Sequence, residues 1–160
     1  MTLADLTEPK LLVPRLLSQQ PAGAIRELTR RLESTGRIGN ASGFAEAVLN
    51  RESQWPTLLA QGIALPHARG SAVQTLSLAV GHSPAGLPWG PERRPVSLLF
   101  LFAVPVAETQ GYLAALSALA HLLNDPTALE EFTTARQPEA MRAVLERASL
   151  PDLAQSLQAR

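Results

Sequence analysis

The 160-residue sequence contains no cysteine. Disulfide bonds, thiol catalysis and zinc–thiolate centres are therefore excluded within it. Neither sign of charge is in excess, because 14 lysine and arginine residues are balanced by 14 aspartate and glutamate residues. A protein that binds nucleic acid needs a surplus of basic groups to displace counterions from phosphates, and this balance argues against that class of partner.

Long hydrophobic segments are also missing. The longest apolar run, Val96 to Pro105, falls well short of the roughly 20 residues that a transmembrane helix needs. The N-terminal segment carries Asp5 and Glu8 and has no apolar core, so it does not resemble a signal peptide. We therefore expect a single cytoplasmic domain without membrane insertion, and a chain of this length can bury a core of its own.

Signatures of metals and cofactors are scarce. The three histidines, His67, His82 and His121, show neither the His-x-His nor the His-x-x-x-His spacing of a metal site. No glycine-rich loop followed by lysine is present to cradle the phosphates of a nucleotide. The sequence predicts no metal and no cofactor.

Apolar patterns predict several strands. The stretch Leu11–Leu17, interrupted by Pro14, is typical of a short or edge strand. Alternation from Thr75 to Val80 predicts a half-buried strand, whereas the continuous apolar run Val96–Val104 predicts a strand buried on both faces. Between them, Pro84–Pro95 is rich in proline and glycine and predicts a loop or hairpin connection.

Helical periodicity, capping residues and first-turn prolines predict the helices. They lie at Gln20–Ser34, after a cap at Asn40 or Ser42, around Tyr112–Leu123, after Asp125-Pro126, after Pro138, and after Pro151 with Leu153 and Leu157. Strands interleaved with helices indicate an α/β fold, a mixed, mostly parallel β-sheet flanked by helices on both faces. No internal repeat or linker divides the chain.

One segment carries residues suited to chemistry. His67 follows a brief apolar stretch, Gln61–Leu65, and then Pro66. Proline fixes its own φ and biases the preceding residue toward an extended conformation, so the imidazole is held on a rigid segment. Ligand sites gather at strand ends in α/β sheets. A neutral histidine is a competent nucleophile for a phosphoryl group near neutral pH.

Groups that could bind the phosphoryl oxygens precede this histidine. Arg51 lies near the end of the predicted helix that carries Phe44 and Val48, and its paired donors suit a tetrahedral dianion. Thr57 adds a hydroxyl donor, and Gly62 allows a close approach of backbone. A lone Pro-His pair is common, so these residues alone leave a structural histidine as the alternative.

The run Arg-Glu-x4-Thr-x4-Gly-x-Ala-x-Pro-His, from Arg51 to His67, resembles the phosphorylation-site signature of the type-2 EIIA family. This family is the IIA component of the fructose/mannitol or nitrogen-regulatory branch of the bacterial sugar phosphotransferase system. The resemblance also includes the opening Leu3-Ala-Asp-Leu, the segment Leu87–Pro105 and the run Leu113–Ala120. It covers about residues 1–148, which we expect to form one domain, with residues 149–160 as a helical tail of the same domain.

The resemblance implies a function and partners. His67 would accept a phosphoryl group on Nε2 from the phosphohistidine of an HPr-like carrier, with Arg51 and Thr57 facing the phosphate. The group would pass to a IIB domain or act as a signal that controls a regulatory target protein. Since the sequence holds neither the cysteine of a IIB domain nor a membrane span, a stand-alone domain favours the regulatory branch.

One residue departs from the family pattern. The family often has a second active-site histidine directly before the position of Leu113, where this sequence has Tyr112. A phenol can donate a hydrogen bond but carries no positive charge. Because phosphoryl transfer depends on charge positioned around the equatorial oxygens, the change affects the transfer rate more than the ability to be phosphorylated. The alternative is that Tyr112 only packs at the start of a helix.

Two other classes of function remain open at this point. A degenerate EIIA-like regulatory binding module would keep the fold but lack efficient phosphotransfer, and Tyr112 is the feature that supports it. A histidine-dependent hydrolase has less support, because no nucleophilic serine or acidic partner stands out. Glu52 is predicted to serve in a cap or salt bridge, Arg69 to be solvated, and Trp89 to pack near a loop.

Overall fold

The apolar run near Val96 is the central strand of a mixed sheet. The computed structural model describes residues 1–152. Its strands are β1 (Leu12–Val13), β2 (Leu58–Leu59), β3 (Ile63–Ala64), β4 (His67–Gly70), β5 (Ser77–Trp89) and β6 (Arg94–Pro105). Five of them are ordered β1-β5-β6-β3-β2 across the sheet, and β4 also pairs with β6. The edge position predicted for the strand around Pro14 is thereby confirmed.

Within residues 1–152, five α-helices cover the sheet. They are α1 (Pro21–Ser34), α2 (Ala41–Gln54), α3 (Thr109–Leu123), α4 (Pro126–Thr134) and α5 (Pro138–Leu145). Asn40 and Asp125 cap α2 and α4, with side-chain oxygens that each accept a backbone N–H at 3.0 Å. Such a bond satisfies one of the donors that a helix leaves unpaired at its start. The predicted helix with Leu153 and Leu157 lies outside the described residues.

Each face of β6 belongs to a different core. The even-numbered side chains from Leu98 to Val104 pack with residues of α3, α4 and α5. The odd-numbered side chains from Leu99 to Ala103 pack with residues of α1 and α2. Because successive side chains of a strand point to opposite faces, the sheet lies between two helical layers. The prediction of a mixed sheet with helices on both faces is confirmed.

The structure corrects two strand predictions around β5. Ser77 and Ala79 are fully buried, so the prediction of a half-buried strand was wrong; small side chains fit under the α1–α2 layer. The segment Pro84–Pro95 does form a hairpin, but strand residues continue to Trp89 and only residues 90–93 form the turn. An irregular register between His82 and Leu87 accommodates the proline and glycine there.

Two strand segments follow one another along the same edge of β6. Both pair with it in parallel, with Ile63 opposite Leu98 in β3 and His67 opposite Phe102 in β4. Pro66 separates them, because it has no N–H to continue the ladder. The histidine therefore follows the end of β3 and also begins a second strand, β4. This placement brings it close to the carboxyl end of β6.

The strand β3 is held against β6 by a glycine. Gly62 has a φ of 73°, and a Cβ at this position would lie 3.1 Å from the carbonyl oxygen of Pro95. Its own carbonyl accepts hydrogen bonds from the backbone N–H groups of Ser97 at 2.8 Å and Leu98 at 3.3 Å. The close backbone approach that the sequence predicts at this glycine is thus observed.

The two ends of the described chain meet. The backbone N–H of Leu3 donates to the carbonyl of Ala148 at 2.9 Å, and Thr2 and Ser149 form an isolated antiparallel bridge. Among residues 1–152, the helices lack the length and apolar character required to cross a bilayer.

Candidate functional site

Four elements converge on a cavity of about 270 Å³. They are the last turn of α2, the start of β4, the carboxyl end of β6 and the first turns of α3. The cavity is lined by Arg51, His67, Arg69, Val104, Thr109, Tyr112 and Leu113. Three residues singled out in the sequence, Arg51, His67 and Tyr112, are thus brought together although they are far apart along the chain.

His67 is oriented by the backbone. Its Nδ1 lies 3.3 Å from the carbonyl oxygen of Leu65. A carbonyl can only accept, so the proton of the neutral ring resides on Nδ1 and Nε2 keeps its lone pair. Burial lowers the pKa of His67 below its ordinary value; the Leu65 hydrogen bond raises it, the Arg51 charge lowers it and the Glu52 charge raises it. The imidazole is consequently a neutral base near pH 7.

Tyr112 contacts the imidazole ring directly. The two ring centroids are 5.3 Å apart at an interplanar angle of 30°. Phe102 also packs against the phenol ring, in a T-shaped contact with the ring centroids 5.4 Å apart. Burial raises the pKa of Tyr112, so its hydroxyl stays protonated and can donate a hydrogen bond. Tyr112 therefore combines packing at the start of α3 with a position in the cavity.

Two arginines supply the positive charge. In the described part of the chain, Arg51 forms no ion pair with a carboxylate, and its guanidinium lines the cavity. Arg69 donates from Nη1 to the hydroxyl of Thr109 at 2.9 Å. An unpaired guanidinium in a concave site offers several donors and a permanent charge to an anion. The cavity is therefore suited to a tetrahedral oxyanion beside His67.

Thr57 takes a different place from the one expected. Its hydroxyl donates to the carboxylate of Glu52, and the residue does not line the cavity. A threonine hydroxyl has one proton, so in this arrangement it cannot also donate to a phosphoryl oxygen.

The family assignment rests on a match over most of the chain. A family model described as phosphoenolpyruvate-dependent sugar phosphotransferase system, EIIA 2, matches residues 8–148. The chain belongs to this family.

Curated EIIA relatives differ in length. The 2-O-alpha-mannosyl-D-glycerate-specific EIIABC component of Escherichia coli is 32% identical over 151 residues, which cover 91% of this chain and 23% of that protein. The chain thus spans about a quarter of that relative. The fructose-specific EIIA component of Haloferax volcanii is 30% identical over 148 residues, which cover 88% of this chain and 96% of that protein.

A solved structure has the same EIIA fold. The nitrogen regulatory protein IIA-Ntr from Neisseria meningitidis superimposes with a TM-score of 0.79 at 26% sequence identity, over 89% of this chain and 97% of that one. The fold predicted from the sequence is therefore that of the family.

Some residues of the EIIA cavity were not identified from the sequence. Arg69 stands two places after His67 in β4, and residues two apart share one face of a strand, so a strand prediction here would have paired them. Thr109 and Leu113 are four residues apart on α3 and share one face of that helix. The missing signal was the strand β4 itself, which is too short to show periodicity.

The remaining histidines of the EIIA domain lie elsewhere. His82 is buried and places its Nδ1 3.2 Å from the carbonyl oxygen of Pro14. His121 is exposed on α3, as its position off the apolar stripe predicts. Across residues 1–152, no three His, Asp or Glu side chains cluster in a way that could hold a metal ion.

Proposed function

We propose that this chain is a phosphoryl-carrier protein of the phosphoenolpyruvate-dependent phosphotransferase system, with His67 as the acceptor. One observation carries the proposal: the His67 imidazole, anchored through Nδ1, shares a cavity with the guanidinium of Arg51. The donor would be an HPr-like phosphohistidine. The recipient would be a IIB domain, or the phosphoryl group would act as a signal read by a regulatory target protein.

The proposed transfer step uses the free nitrogen of His67 as the nucleophile. The lone pair on Nε2 of His67 attacks the phosphorus atom as the nitrogen–phosphorus bond of the donor breaks, and the donor imidazole keeps that electron pair and takes up a proton. Because the transition state spreads negative charge over three equatorial oxygens, catalysis comes from positioning and from fixed positive charge. Arg51 supplies that charge, and the Tyr112 hydroxyl supplies a neutral donor.

The lowered pKa of His67 favours the nucleophilic form. Burial, the main cause, penalises the imidazolium, so the ring stays neutral to lower pH than a free histidine would. After transfer, the new phosphoryl charge lies next to an arginine that has no competing carboxylate among the residues described. A phosphoryl dianion next to a guanidinium is stabilised by charge-assisted hydrogen bonds.

Partner docking is supported by apolar surface around the cavity. Leu113 lines it and is 48% exposed, and Val106, which directly follows β6, is 57% exposed. Exposed apolar residues beside a polar site are typical of protein contacts. We further propose a cytoplasmic location and a single domain over residues 1–148, to which Ser149 is joined through its bridge to Thr2.

The proposal predicts a phosphorylated species that depends on one residue. Incubation with phosphoenolpyruvate, enzyme I and HPr should add the mass of one phosphoryl group to the intact protein. His67→Ala should abolish this mass shift, because no other described side chain combines an oriented imidazole with the cavity. His121→Ala is the matched control and should leave the shift unchanged, since this residue is exposed on the surface of α3.

The same experiment tests the second candidate, a regulatory binding module without efficient transfer. The neutral phenol of Tyr112 in contact with His67 favours this candidate. Absence of any mass shift in the wild-type protein, with an established EIIA domain phosphorylated in parallel, would overturn the carrier and support the module.

A further inference from the structure

A carboxylate lies buried directly beside the cavity. Glu52 follows Arg51 in the last turn of α2, yet its side chain does not line the cavity, and the residue is only 8% exposed. Three donors surround its oxygens: the hydroxyl of Thr57, the backbone N–H of Thr57 at 3.2 Å and Nε1 of Trp89 at 3.1 Å. A buried carboxylate needs such donors to offset the loss of hydration.

Two further hydrogen bonds connect Thr57 to the imidazole of His67. The carbonyl of Thr57 accepts the backbone N–H of Leu65 at 3.0 Å, and the carbonyl of Leu65 faces Nδ1 of His67 at 3.3 Å. The next residue, Pro66, has no N–H. The N–H of Leu65 is therefore the last backbone donor before His67, and it ties the Leu65 peptide to the segment that Glu52 holds.

We propose that Glu52 is a positioning residue that fixes the tautomer and orientation of His67 through Thr57 and Leu65. This inference rests on the proposed phosphoryl transfer to His67 for its functional meaning. Glu52 holds Thr57 at two points, Thr57 holds the Leu65 peptide, and the Leu65 carbonyl selects the Nδ1–H tautomer that leaves Nε2 free. This positioning role accounts for two residues of the signature, Glu52 and Thr57.

Geometry and charge can be separated by two substitutions at Glu52. Glu52→Gln keeps an oxygen for the Thr57 N–H and Trp89 Nε1–H donors, and its amide can donate to the Thr57 hydroxyl oxygen. It removes the negative charge, whose effect is to raise the pKa of His67. Glu52→Ala removes every acceptor and leaves the two N–H donors without a partner.

The decisive measurement is the ¹⁵N spectrum of the His67 ring nitrogens above the pKa of that residue. The wild-type protein should show a protonated Nδ1 and an unprotonated Nε2, and Glu52→Gln should keep this pattern while lowering the pKa of His67. Glu52→Ala should mix the tautomers and slow phosphoryl acceptance, by up to about 100-fold if the ring moves by about 1 Å.

Two substitutions of Thr57 test the inference without depending on the folding of Glu52→Ala. Thr57→Val removes the hydroxyl while keeping the side-chain shape, and it should shift the tautomer ratio in the same direction by a smaller amount. Thr57→Ser restores the hydroxyl and should restore the wild-type pattern. These two variants keep the inference testable even where Glu52→Ala does not fold.

Trp89→Phe is the control for general loosening. It removes one donor to Glu52 but leaves the bonds from Glu52 through Thr57 to Leu65 in place. It should lower stability without changing the His67 tautomer. An equal tautomer shift in Trp89→Phe, or an unchanged wild-type tautomer in a folded Glu52→Ala or Thr57→Val, would overturn the inference.

The two proposals can fail separately. The tautomer measurement needs no phosphoryl donor, so it reports on positioning even if the wild-type protein takes up no phosphate. Conversely, phosphorylation of His67 with no response to Glu52→Ala or Thr57→Val leaves the carrier function standing and rejects the positioning role.

Discussion

At the scale of single residues, the environment of the imidazole decides its chemistry. The ring of His67 has one nitrogen on a backbone carbonyl and one flank against Tyr112. Burial is the largest cause of its lowered pKa, and the Tyr112 ring is part of what excludes water from it. The nucleophile is kept neutral by its packing as well as by the neighbouring positive charge.

Removal of the phenol ring should therefore raise the pKa of His67. In Tyr112→Ala the imidazole gains water, the charged form is penalised less, and the pKa moves up toward the ordinary 6.5. Tyr112→Phe keeps the ring contact and should leave the pKa close to the wild-type value. A pH titration of the His67 ring signals by NMR measures both. A pKa that falls in Tyr112→Ala would contradict this account.

At the scale of secondary-structure elements, the site depends on how β3 and β4 share one edge of β6. Gly62 starts this arrangement, because its positive φ disfavours any other residue and an added Cβ would meet the carbonyl oxygen of Pro95 at a tight 3.1 Å. The Pro66 break then lets His67 begin a second strand at Phe102. The length of chain between Gly62 and His67 therefore determines where the imidazole enters the cavity.

Gly62→Ala should destabilise the protein by roughly 1–2 kcal/mol or more, since a left-handed conformation costs an L-residue about that much. Gly70→Ala is the matched control: its φ is not positive, and a Cβ there meets nothing within 4 Å. It should be neutral or stabilising by about 0.4–1 kcal/mol. Urea denaturation of both variants gives the two changes in the free energy of unfolding. Equal losses would refute the clearance argument.

Elements with strong local signals could be predicted from the sequence. The cap at Asn40 and the Asp125-Pro126 pair mark helix starts in both sequence and structure. The strands β2 and β4 escaped prediction, because two to four residues carry no periodicity. The extension of β5 through Pro84 was missed because β5–β6 pairing outweighs local turn preference.

The residues of the candidate site likewise divide into those with a local sequence signal and those whose place depends on tertiary contacts. The signature residues Arg51 and His67 line one cavity as the resemblance implies, since each lies on an element with a clear pattern or motif. The place of Thr57 could not be predicted, because its hydroxyl bonds to Glu52, a contact that depends on how the chain turns after α2. The burial of Glu52 needs Trp89, which lies 37 residues away in sequence.

At the scale of the whole molecule, two histidines, the half-buried His67 and the buried His82, couple folding to pH. Burial lowers the pKa of both His67 and His82 below 6.5. Below that value the unfolded chain binds protons that the folded protein resists, so stability is present above pH 6.5 and is lost as pH falls through the lowered values. Free aspartate and glutamate side chains titrate at about pH 4, below this range.

The free energy of unfolding should therefore decrease between about pH 7.5 and about pH 5. Urea denaturation across this range measures the decrease. His67→Gln and His82→Gln should each flatten the dependence by their own share, and the double variant should flatten it most. A stability that rises on acidification would show that the two imidazoles gain protons on folding instead.

The bridge between Thr2 and Ser149 bears on how this domain can be connected to other protein segments. The backbones at Thr2 and Ser149 lie side by side, next to the hydrogen bond from Leu3 to Ala148. Nearby termini are what make a folded unit tolerant of insertion and circular permutation. The segment from Thr2 to Ser149 could accordingly be inserted into a surface loop of a longer host protein without stretching the chain on either side.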